Sequence, residues 1–462
     1  MTLIKSISGI RGTIGGSVND NLTPVDAVKF ASAYGTWIKN ASGKKSPKVV
    51  VGRDARLSGH MIQQLVMNSL VGLGIEVIDL GLSTTPTVEI AVPMEKADGG
   101  IILTASHNPK QWNALKLLNN KGEFLNAENG AEILKIAEDD SYIFNEVDDL
   151  GNITVDDSYI EKHIESVLNL KLVDAEKVKQ AKFKVVVDAV NSTGGISIPP
   201  LLKRMGVEVV ELYCDPTGHF PHNPEPLKEH LGDLADKVVA EKADLGITVD
   251  PDVDRLAFMS EDGEMFGEEY TLVACADFVL GKTPGNTVSN LSSSRALRDI
   301  TEKHGGKYTA ANVGEVNVVS TMKATNTVIG GEGNGGIIYP ESHYGRDSLV
   351  GVALFLTHLA EKNMKVSELR ASYPAYFMSK NKITLTPELD VDNILEQMAK
   401  KYANEEVTTT DGVKVDFAEN WFHLRKSNTE PIIRIYTEAK SQKEADDLAE
   451  KTIEEIKEIA GI

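Results

Sequence analysis

The sequence from residue 100 to residue 110 reads Gly-Ile-Ile-Leu-Thr-Ala-Ser-His-Asn-Pro-Lys. Its opening residues are typical of a short buried strand, and the polar residues behind them are typical of a turn. Ser106 and His107 are therefore predicted at the C-terminal end of a strand, where α/β folds place their ligands. The Ser106 hydroxyl is a candidate nucleophile or phosphoryl carrier, although most serines in this position are turn residues.

Strand and helix patterns alternate on both sides of this stretch. Strands are predicted at residues 48–51 and 76–80, and Ser58 is the predicted N-cap of the helix between them. The apolar face of that helix is predicted to contain Met61, Leu65, Val66 and Leu70. A similar alternation recurs over residues 183–249, including a helix at 227–242, and over residues 269–361. The sequence thus predicts three α/β units in series.

The C-terminal part of the chain has a different pattern. Strands are predicted at residues 382–385, 421–424 and 432–437, and the last helix begins with a capping box from Ser441 to Glu444. These elements indicate a small α+β unit. We therefore expect domains at residues 1–153, 154–260, 261–373 and 374–462.

The charge and the composition exclude several classes of partner. The net charge of −20 over 462 residues disfavours general nucleic-acid binding. No apolar run is long enough to span a bilayer, and the first residues lack a signal-peptide pattern. Cys214 and Cys275 have no metal-type spacing. We expect a cytoplasmic protein without nucleic-acid or membrane partners, in which an anionic substrate needs a local basic pocket.

A second polar loop follows the predicted strand at residues 245–249. It places Asp250, Asp252 and Asp254 at alternate positions. Close carboxylates repel one another unless a cation neutralises them, and oxygen ligands select a hard ion such as Mg²⁺. An EF-hand calcium loop would need glycine where Arg255 stands, and helices where strands are predicted. A simple acidic turn is the other alternative.

Two further features carry candidate site residues. Lys116 is a candidate general acid/base if its pKa is lowered, although taken alone it fits a surface lysine on a hairpin better. Residues 330–336 read Gly-Gly-Glu-Gly-Asn-Gly-Gly and formally contain the G-x-G-x-x-G pattern of dinucleotide sites. Extended residues follow where that motif needs a helix. We interpret a loop that presents Glu332 and Asn334 to sugar hydroxyls, with a plain glycine-rich turn as the alternative.

A fourth loop combines guanidinium groups, hydroxyls and turn amides, which suits a phosphate dianion. Its candidate phosphate-binding residues are Arg425, Ser427, Asn428, Thr429 and Arg434. A purely structural turn between two strands is the alternative. A serine, a carboxylate cluster and an anion site in one chain together point to phosphoryl transfer.

In combination, these loops resemble those of the α-D-phosphohexomutase superfamily. Residues 104–109 resemble its phosphoserine loop, 250–255 its metal loop, 331–336 its sugar-recognition loop and 425–431 its phosphate loop. Residues 8–12, which contain Arg11, and residues 52–54 match further family elements. The resemblance implies a heart-shaped molecule around a central cleft, with three mixed α/β domains and a fourth domain like the TATA-binding protein.

The resemblance also implies a reaction. Ser106 would carry a phosphoryl group and bind Mg²⁺ together with the three aspartates. A hexose 6-phosphate and a hexose 1-phosphate would interconvert through a hexose 1,6-bisphosphate, with Lys116 handling the hydroxyl proton. Arg11, His107 and Arg255 would complete the catalytic set. One hexose must reach both Ser106 and the phosphate loop, so we expect the fourth unit to rotate about a hinge near residues 372–379.

The chain departs from the family pattern in its sugar loop, which often reads Glu-x-Ser-Gly-His. Asn334 stands for the serine and Gly336 for the histidine, and Glu315 stands where some members have another histidine. His343 is a candidate substitute for the missing imidazole. Glu315 can pair with an amino group, which favours a phosphoglucosamine mutase over a phosphomannomutase or phosphoglucomutase, although a carboxylate equally accepts hydrogen bonds from hydroxyls. A non-catalytic sugar-phosphate-binding protein is the remote alternative.

Overall fold

The computed structural model describes residues 2–6, 9–384, 390–426 and 432–461. The elements of its first unit are β1 (Ile4–Ser6), β2 (Gly9–Thr13), α1 (Pro24–Ser42), β3 (Lys48–Arg53), α2 (Gly59–Gly72), β4 (Glu76–Leu82), α3 (Thr85–Met94), β5 (Gly99–Leu103), β6 (Trp112–Leu118), α4 (Ala127–Glu138) and β7 (Ile153–Val155). The strands form one mixed sheet in the order β1-β2-β6-β5-β3-β4-β7. Because β7 pairs with β4, this sheet continues past the predicted boundary at residue 153.

The second and third units repeat this arrangement on a smaller scale. The second contains α5 (Tyr159–Leu168), α6 (Ala175–Ala181), β8 (Lys184–Asp188), α7 (Gly194–Arg204), β9 (Glu208–Leu212), α8 (Gly232–Glu241), β10 (Leu245–Val249) and β11 (Leu256–Ser260). The third contains α9 (Glu268–Lys282), β12 (Asn286–Asn290), α10 (Ala296–Lys303), β13 (Tyr308–Ala311), α11 (Glu315–Ala324), β14 (Thr327–Glu332), β15 (Gly336–Ile338), α12 (Ser348–Lys362) and α13 (Val366–Ala371). Their sheets have the orders β11-β10-β8-β9 and β13-β12-β14-β15.

The fourth unit is an antiparallel sheet with helices. It contains β16 (Phe377–Thr384), α14 (Val391–Lys401), β17 (Glu406–Thr408), β18 (Val413–Asp416), β19 (Trp421–Lys426), β20 (Ile432–Ala439) and α15 (Gln442–Ala460), with the strand order β16-β20-β19-β18-β17. The predicted fold class is confirmed: three α/β units precede an α+β unit. None of the helices within the described ranges has both the length and the apolarity needed to cross a membrane.

The four loops singled out in the sequence occupy equivalent places in the four sheets. Each loop joins a strand to the antiparallel strand that pairs with it: β5 to β6, β10 to β11, β14 to β15 and β19 to β20. In the first three units, the leading strand is also paired in parallel on its other side. The first three loops therefore emerge where a parallel sheet turns back on itself, at the carboxyl end of the leading strand, whereas the fourth lies between two strands of a fully antiparallel sheet.

The run at residues 100–103 is continuously apolar because β5 is covered on both faces. Ile101 and Leu103 lie in a core cluster with α1 and α2, whereas Ile102 lies in a cluster with α3. Every residue of β5 is buried. The strand is therefore anchored firmly, and the turn after it is held at a fixed position.

Two predictions about α2 are wrong in detail. Ser58 has helical backbone angles and makes no side-chain cap bond; its Oγ accepts a hydrogen bond from Asn113 Nδ2 at 2.9 Å instead. Val66 and Leu70 are buried as predicted, but Met61 is 41% exposed and Leu65 is only partly buried. The buried stripe contains Ile62, Val66, Met67 and Leu70. The helix predicted from residue 227 is also shorter, because α8 begins at residue 232 after a single 3-10 turn.

The second and third units share one hydrophobic core. Phe258 of β11 stacks on Phe355 of α12 with ring centroids 3.8 Å apart, and Phe266 packs edge-on against both rings. One cluster of buried side chains runs through both units, from Ile164 to Tyr373. By contrast, the core of the fourth unit forms a separate cluster.

Candidate active site

Ser106 lies on the turn that joins β5 to β6. Its φ of +48° is in the left-handed region, which residues other than glycine rarely adopt. The backbone N–H of Ser106 donates to Thr104 Oγ1 at 2.9 Å, and Arg56 donates to the carbonyl of Ser106. The surrounding side chains thus hold the strained conformation, which is the pattern expected of a functional turn.

The Ser106 hydroxyl faces the second unit. Its Oγ donates to Asp250 Oδ2 at 2.7 Å, and His107 Nδ1 lies 3.3 Å from the same oxygen. Arg11, whose Nη1 donates to Asn108 Oδ1 at 3.0 Å, reaches this turn from β2. The structure therefore brings together Ser106, His107 and Arg11 as predicted, next to the predicted metal loop.

The aspartate loop follows β10 and is fully buried at its three carboxylates. One ligand oxygen from each of Asp250, Asp252 and Asp254 lies within 4.8 Å of the others. Asp250 Oδ1 accepts from two backbone N–H groups of the loop, and Val253 has a φ of +65°, so the turn is tight. Asp252 Oδ1 and Asp254 Oδ1 have no hydrogen-bond partner among the residues described.

These oxygens fit a divalent cation. Buried carboxylate oxygens normally have a partner, so two of them without one, beside a third carboxylate, indicate a cation site. Asp250, Asp252 and Asp254 would supply the ligands for Mg²⁺, with the Ser106 oxygen beside them.

Lys116, on β6, reaches the same loop from the first unit. Its Nζ lies 2.6 Å from Asp252 Oδ2 and 3.2 Å from Asp254 Oδ2. The side chain is nearly buried, so the alternative of a surface lysine is excluded. Arg255 ends the loop and forms an ion pair with Glu225, whose Oε1 is 3.1 Å from Arg255 Nη1.

The sugar-loop carboxylate Glu332 is buried and held by three donors. Asn290 Nδ2 and the backbone N–H of Gly314 donate to its Oε1 at 2.9 and 3.1 Å, and Arg346 Nη1 donates to its Oε2 at 3.1 Å. Asn334 Oδ1 accepts from the backbone N–H of Gly336 at 3.3 Å. The residues after the loop form β15, as the sequence predicts, and not the helix of a dinucleotide site.

Two candidate residues of this region are bound to their neighbours. Arg346 donates to both oxygens of Glu315, at 3.2 Å from its backbone N–H and at 2.9 Å from Nε. His343 does not direct its ring at Glu332 or Asn334. Its Nε2 lies 3.1 Å from Asp347 Oδ2 and its Nδ1 lies 3.4 Å from Glu89 Oε2.

The phosphate loop is described at its two ends. Arg425 and Arg434 are directly opposite each other on β19 and β20, so both guanidinium groups lie on one face of the hairpin. Arg425 Nε is 3.0 Å from Asp411 Oδ2, and that oxygen also accepts from the backbone N–H of Val313 at 2.8 Å. Ser427, Asn428 and Thr429 lie outside the described residues.

Comparison with known proteins identifies the arrangement. Models of the phosphoglucomutase/phosphomannomutase family match in series: α/β/α domain I at residues 3–143, domain II at 158–263, domain III at 267–376 and the C-terminal domain at 382–455. The chain belongs to this family. The family comprises phosphohexomutases, so the protein is an isomerase that moves a phosphoryl group within a hexose phosphate.

Individual relatives support the assignment. The chain is 36% identical to a phosphoglucomutase/phosphomannomutase of Thermococcus kodakarensis, over 97% of this chain and 98% of that protein. It is 33% identical to a probable phosphoglucosamine mutase of Methanopyrus kandleri, over 97% and 96% of the two chains. A phosphoglucomutase/phosphomannomutase family protein of Burkholderia thailandensis superposes with a TM-score of 0.85 at 26% identity, covering 99% of this chain and 97% of its own.

Charges in this phosphohexomutase shift the pKa values of the central groups in opposite directions. Burial, followed by the charges of Asp252 and Asp254, raises the pKa of Asp250 well above its ordinary value. Burial would also raise the pKa of Asp254, but Arg346 and Lys116 outweigh it and lower that pKa overall. Burial and the neighbouring Arg255 and Arg11 lower the pKa of His107 well below its ordinary value, so its imidazole is neutral.

The pKa of Lys116 shifts against expectation. Burial would lower it, but Asp252 and Asp254 raise it, and the net shift is upward. A general base at neutral pH needs the opposite shift. In this arrangement Lys116 is a charged partner of two aspartates.

Sequence reasoning missed three residues of the phosphohexomutase site. Arg56 is 1% exposed and donates to the carbonyls of Ser106, Asn108, Pro109 and Trp112. Thr85, at the first turn of α3, donates through Oγ1 to Asp252 Oδ2 at 2.6 Å. Arg346 joins the metal loop to the sugar loop through Asp254 and Glu332. The only signal in the sequence was the Arg-Asp-Ala-Arg run at residues 53–56 directly after a strand.

Proposed function

We propose that the protein interconverts hexose 6-phosphate and hexose 1-phosphate through a phosphoserine at residue 106 and a hexose 1,6-bisphosphate. The observation that carries this proposal is the buried Ser106 Oγ, 2.7 Å from Asp250 Oδ2 and held on a strained turn. Mere binding of a sugar phosphate needs no hydroxyl in this position. The geometry therefore favours catalysis over the alternative of a non-catalytic binding protein.

In the proposed reaction a sugar hydroxyl attacks the phosphorus of phosphoserine 106. The bond from phosphorus to Ser106 Oγ breaks as the bond to the sugar oxygen forms, and the serine hydroxyl is restored. The bisphosphate turns over and its other phosphoryl group returns to Ser106 by the reverse step, so no phosphate is consumed. Bound Mg²⁺ would supply charge neutralisation on the transferring phosphoryl oxygens.

The described residues divide the remaining tasks. Arg11 and Arg255 supply positive charge beside the loop of Ser106, and neutral His107 lies within reach of Ser106 Oγ. We propose that Lys116 exchanges the hydroxyl proton. That role requires Asp252 and Asp254 to be neutralised first, because both now hold the ammonium group.

The rest of the proposed substrate contacts are on the other side of the cleft. Glu332 and Asn334 would bind sugar hydroxyls. Arg425 and Arg434, with Ser427, Asn428 and Thr429, would hold the phosphate that is not reacting. Asp411 contacts both Arg425 and the backbone N–H of Val313, in the turn that precedes Glu315. Arg425 therefore lies close to the third unit, and one hexose phosphate would reach both the sugar-binding and the phosphate-binding residues.

None of these contacts determines which substituent the hexose carries at C2. Arg346 engages the Glu315 carboxylate, and that contact gives no preference for an amino group over a hydroxyl. Glucosamine, glucose and mannose phosphates are therefore the three candidates, in agreement with the different names of the relatives.

Two measurements test the proposal. The protein is incubated with hexose 1,6-bisphosphate, and intact-mass and peptide mass spectrometry are used to look for one phosphoryl group on Ser106. Interconversion of the 1- and 6-phosphates of glucose, mannose and glucosamine is then compared side by side. We expect phosphorylation at Ser106 and turnover of at least one pair. Binding of hexose phosphate with neither turnover nor phosphorylation would support the non-catalytic alternative.

A further inference from the structure

Gly336 stands where the sugar loop of the family often has histidine, and the structure shows what fills that space. A Cβ atom on Gly336 would lie 2.3 Å from Cδ and 3.0 Å from Cγ of Arg346. Any side chain at position 336 would therefore collide with the Arg346 side chain. Gly336 and Arg346 are matched: the glycine leaves the room that the arginine occupies.

Arg346 reaches this position because its backbone is fixed. It pairs with Ile338 of β15 in an antiparallel bridge, and its N–H donates to Glu315 Oε1 at 3.2 Å. The side chain then crosses β15 above Gly336. The side chain is only 10% exposed, so the guanidinium group is committed to the contacts described here.

The guanidinium group contacts three carboxylates through three different nitrogens. Nη2 donates to Asp254 Oδ2 at 2.7 Å, Nε to Glu315 Oε2 at 2.9 Å, and Nη1 to Glu332 Oε2 at 3.1 Å. Asp254 belongs to the metal loop of the second unit, whereas Glu315 and Glu332 belong to the third. Only a planar, forked cation meets three carboxylates in this way; an ammonium group is a point charge.

We propose that Arg346 is the positioning residue that takes the place of the sugar-loop histidine, and that it locks the sugar-binding carboxylate Glu332 in register with the metal loop. This inference rests on the proposed function of Glu332 in sugar binding. An arginine keeps its proton at all working pH values. Arg346 therefore positions Glu332 but does not transfer a proton itself. The protons of the reaction must be exchanged by other groups of the site.

The first test variant is Arg346→Lys, which keeps the charge and loses the fork. Arg204→Lys is the matched control: Arg204 also contacts two carboxylates through two nitrogens, Nη1 with Glu161 and Nη2 with Glu165, but on the surface of the second unit, outside the site. Binding of hexose 6-phosphate is measured by calorimetry in the presence of a chelator, and kcat and KM are measured with Mg²⁺. For Arg346→Lys we expect roughly 10–100-fold weaker binding and a similar loss in kcat/KM, as when a residue that orients a ligand group is removed.

Folding is controlled by thermal unfolding and by a second variant. Removing the positive charge alone would leave carboxylates unpaired, so Arg346→Gln is combined with Glu315→Gln. The double variant breaks the links to Glu332 and Asp254 and should lose binding like Arg346→Lys, while its unfolding temperature stays close to that of Arg204→Lys.

Each outcome decides the inference. Weakened binding in a folded variant supports it. Folded variants that bind and turn over like the control would overturn it, and loss of folding in both variants would assign Arg346 a purely structural role. If the wild-type protein turns over no hexose phosphate, the proposed function fails, whereas the calorimetric comparison still decides whether Arg346 positions the binding site.

Discussion

The joint between the second and third units is apolar, whereas the joint between the third and fourth units is polar. Phe258 and Phe355 stack across the first joint within one shared core. Across the second joint, Ser292 Oγ lies 2.9 Å from His423 Nδ1, and Arg295 Nη2 lies 2.9 Å from Asp416 Oδ1. Polar interfaces between units permit relative motion more readily than apolar ones. The metal and sugar loops are thus fixed to each other, and the phosphate loop is carried on a part that can move.

The predicted hinge lies at the polar joint. Tyr270 Oη donates to the carbonyl of Pro374 at 2.7 Å and accepts from the backbone N–H of Tyr376 at 2.9 Å. Residues 372–379 are therefore tied to α9 at their centre, and rotation of the fourth unit would pivot beside this tyrosine. Substitutions near the metal and sugar loops should therefore affect the reaction differently from substitutions in the fourth unit.

Ser106→Ala removes the oxygen that would carry the phosphoryl group, next to the metal loop. We expect turnover to fall by roughly 10³-fold, because a covalent intermediate can no longer form. Steady-state kinetics, with circular dichroism as the control for folding, measures the effect. Activity near that of the wild type would exclude Ser106 as the carrier.

Asp252→Asn removes a charge from one of the two carboxylates that have an unpartnered oxygen. We expect a loss of roughly 10²-fold in turnover and weaker Mg²⁺ binding, because a ligand charge disappears. Titration calorimetry with Mg²⁺ measures the second effect. Asp446 is exposed on α15, and Asp446→Asn is the control for the loss of a carboxylate outside the site. Unchanged metal binding in Asp252→Asn would reduce the loop to an acidic turn.

Arg425→Ala changes the fourth unit, which is predicted to rotate. We expect it to raise KM more than it lowers kcat, by about 1.5–3 kcal/mol of binding energy, the range for a hydrogen bond to a charged group. Lys443→Ala, an exposed cation of the same unit, controls for loss of positive charge. A change in kcat alone would place Arg425 in the chemical step and contradict the comparison.

Acidification should loosen the polar joint. Burial, followed by the charges of Lys414 and Arg425, lowers the pKa of His423 to about 4, although its bond to the Asp411 carbonyl acts in the opposite direction. The unfolded chain has a pKa of about 6.5 and binds the proton first as pH falls. The stability that neutral His423 provides is therefore complete above about pH 6.5 and is lost between about pH 6.5 and 4, by about 2 kcal/mol from pH 7 to pH 5.

The measurement for this prediction is the free energy of unfolding as a function of pH, in the wild type and in His423→Gln. Glutamine does not titrate, so the difference between the two proteins isolates the histidine from other groups. Parallel pH profiles would show that His423 does not couple protonation to stability.

Ser441→Ala should have the smallest effect. Ser441 Oγ accepts from the backbone N–H of Glu444 at 3.2 Å and caps α15, so its loss should cost about 1 kcal/mol of stability. Ser441→Gly should cost only a few tenths of a kcal/mol. Denaturant unfolding measures both changes, and kcat should stay the same. A large fall in kcat would show that the stability of the fourth unit limits the reaction.

The predictable part of the molecule is the part that depends on local pattern. The run at residues 245–249 matches β10 at both ends, and the predicted α+β unit has its antiparallel sheet. Ser106 and the aspartates were found because each stands in a polar turn directly behind an apolar strand. Their contact across two units follows from the shared position of such turns in α/β sheets.

The part that was missed depends on contacts between distant residues. Arg346 lies 92 residues from Asp254 along the chain, and no local pattern indicates their contact. Glu315 was assigned to a substrate amine because its internal partner could not be seen in the sequence. The shared core was missed for the same reason: a strand face and a helix face each predict burial, but not which of them meet.

The left-handed backbone at Ser106 affects which amino acids would fit the proposed carrier position. A threonine offers the same hydroxyl, but a branched β-carbon at positive φ adds strain, as Val253 already does in the aspartate loop. Glycine would relax the turn and lose the oxygen. Serine combines a hydroxyl with an unbranched side chain, so it presents the oxygen on this turn with less backbone strain than threonine would.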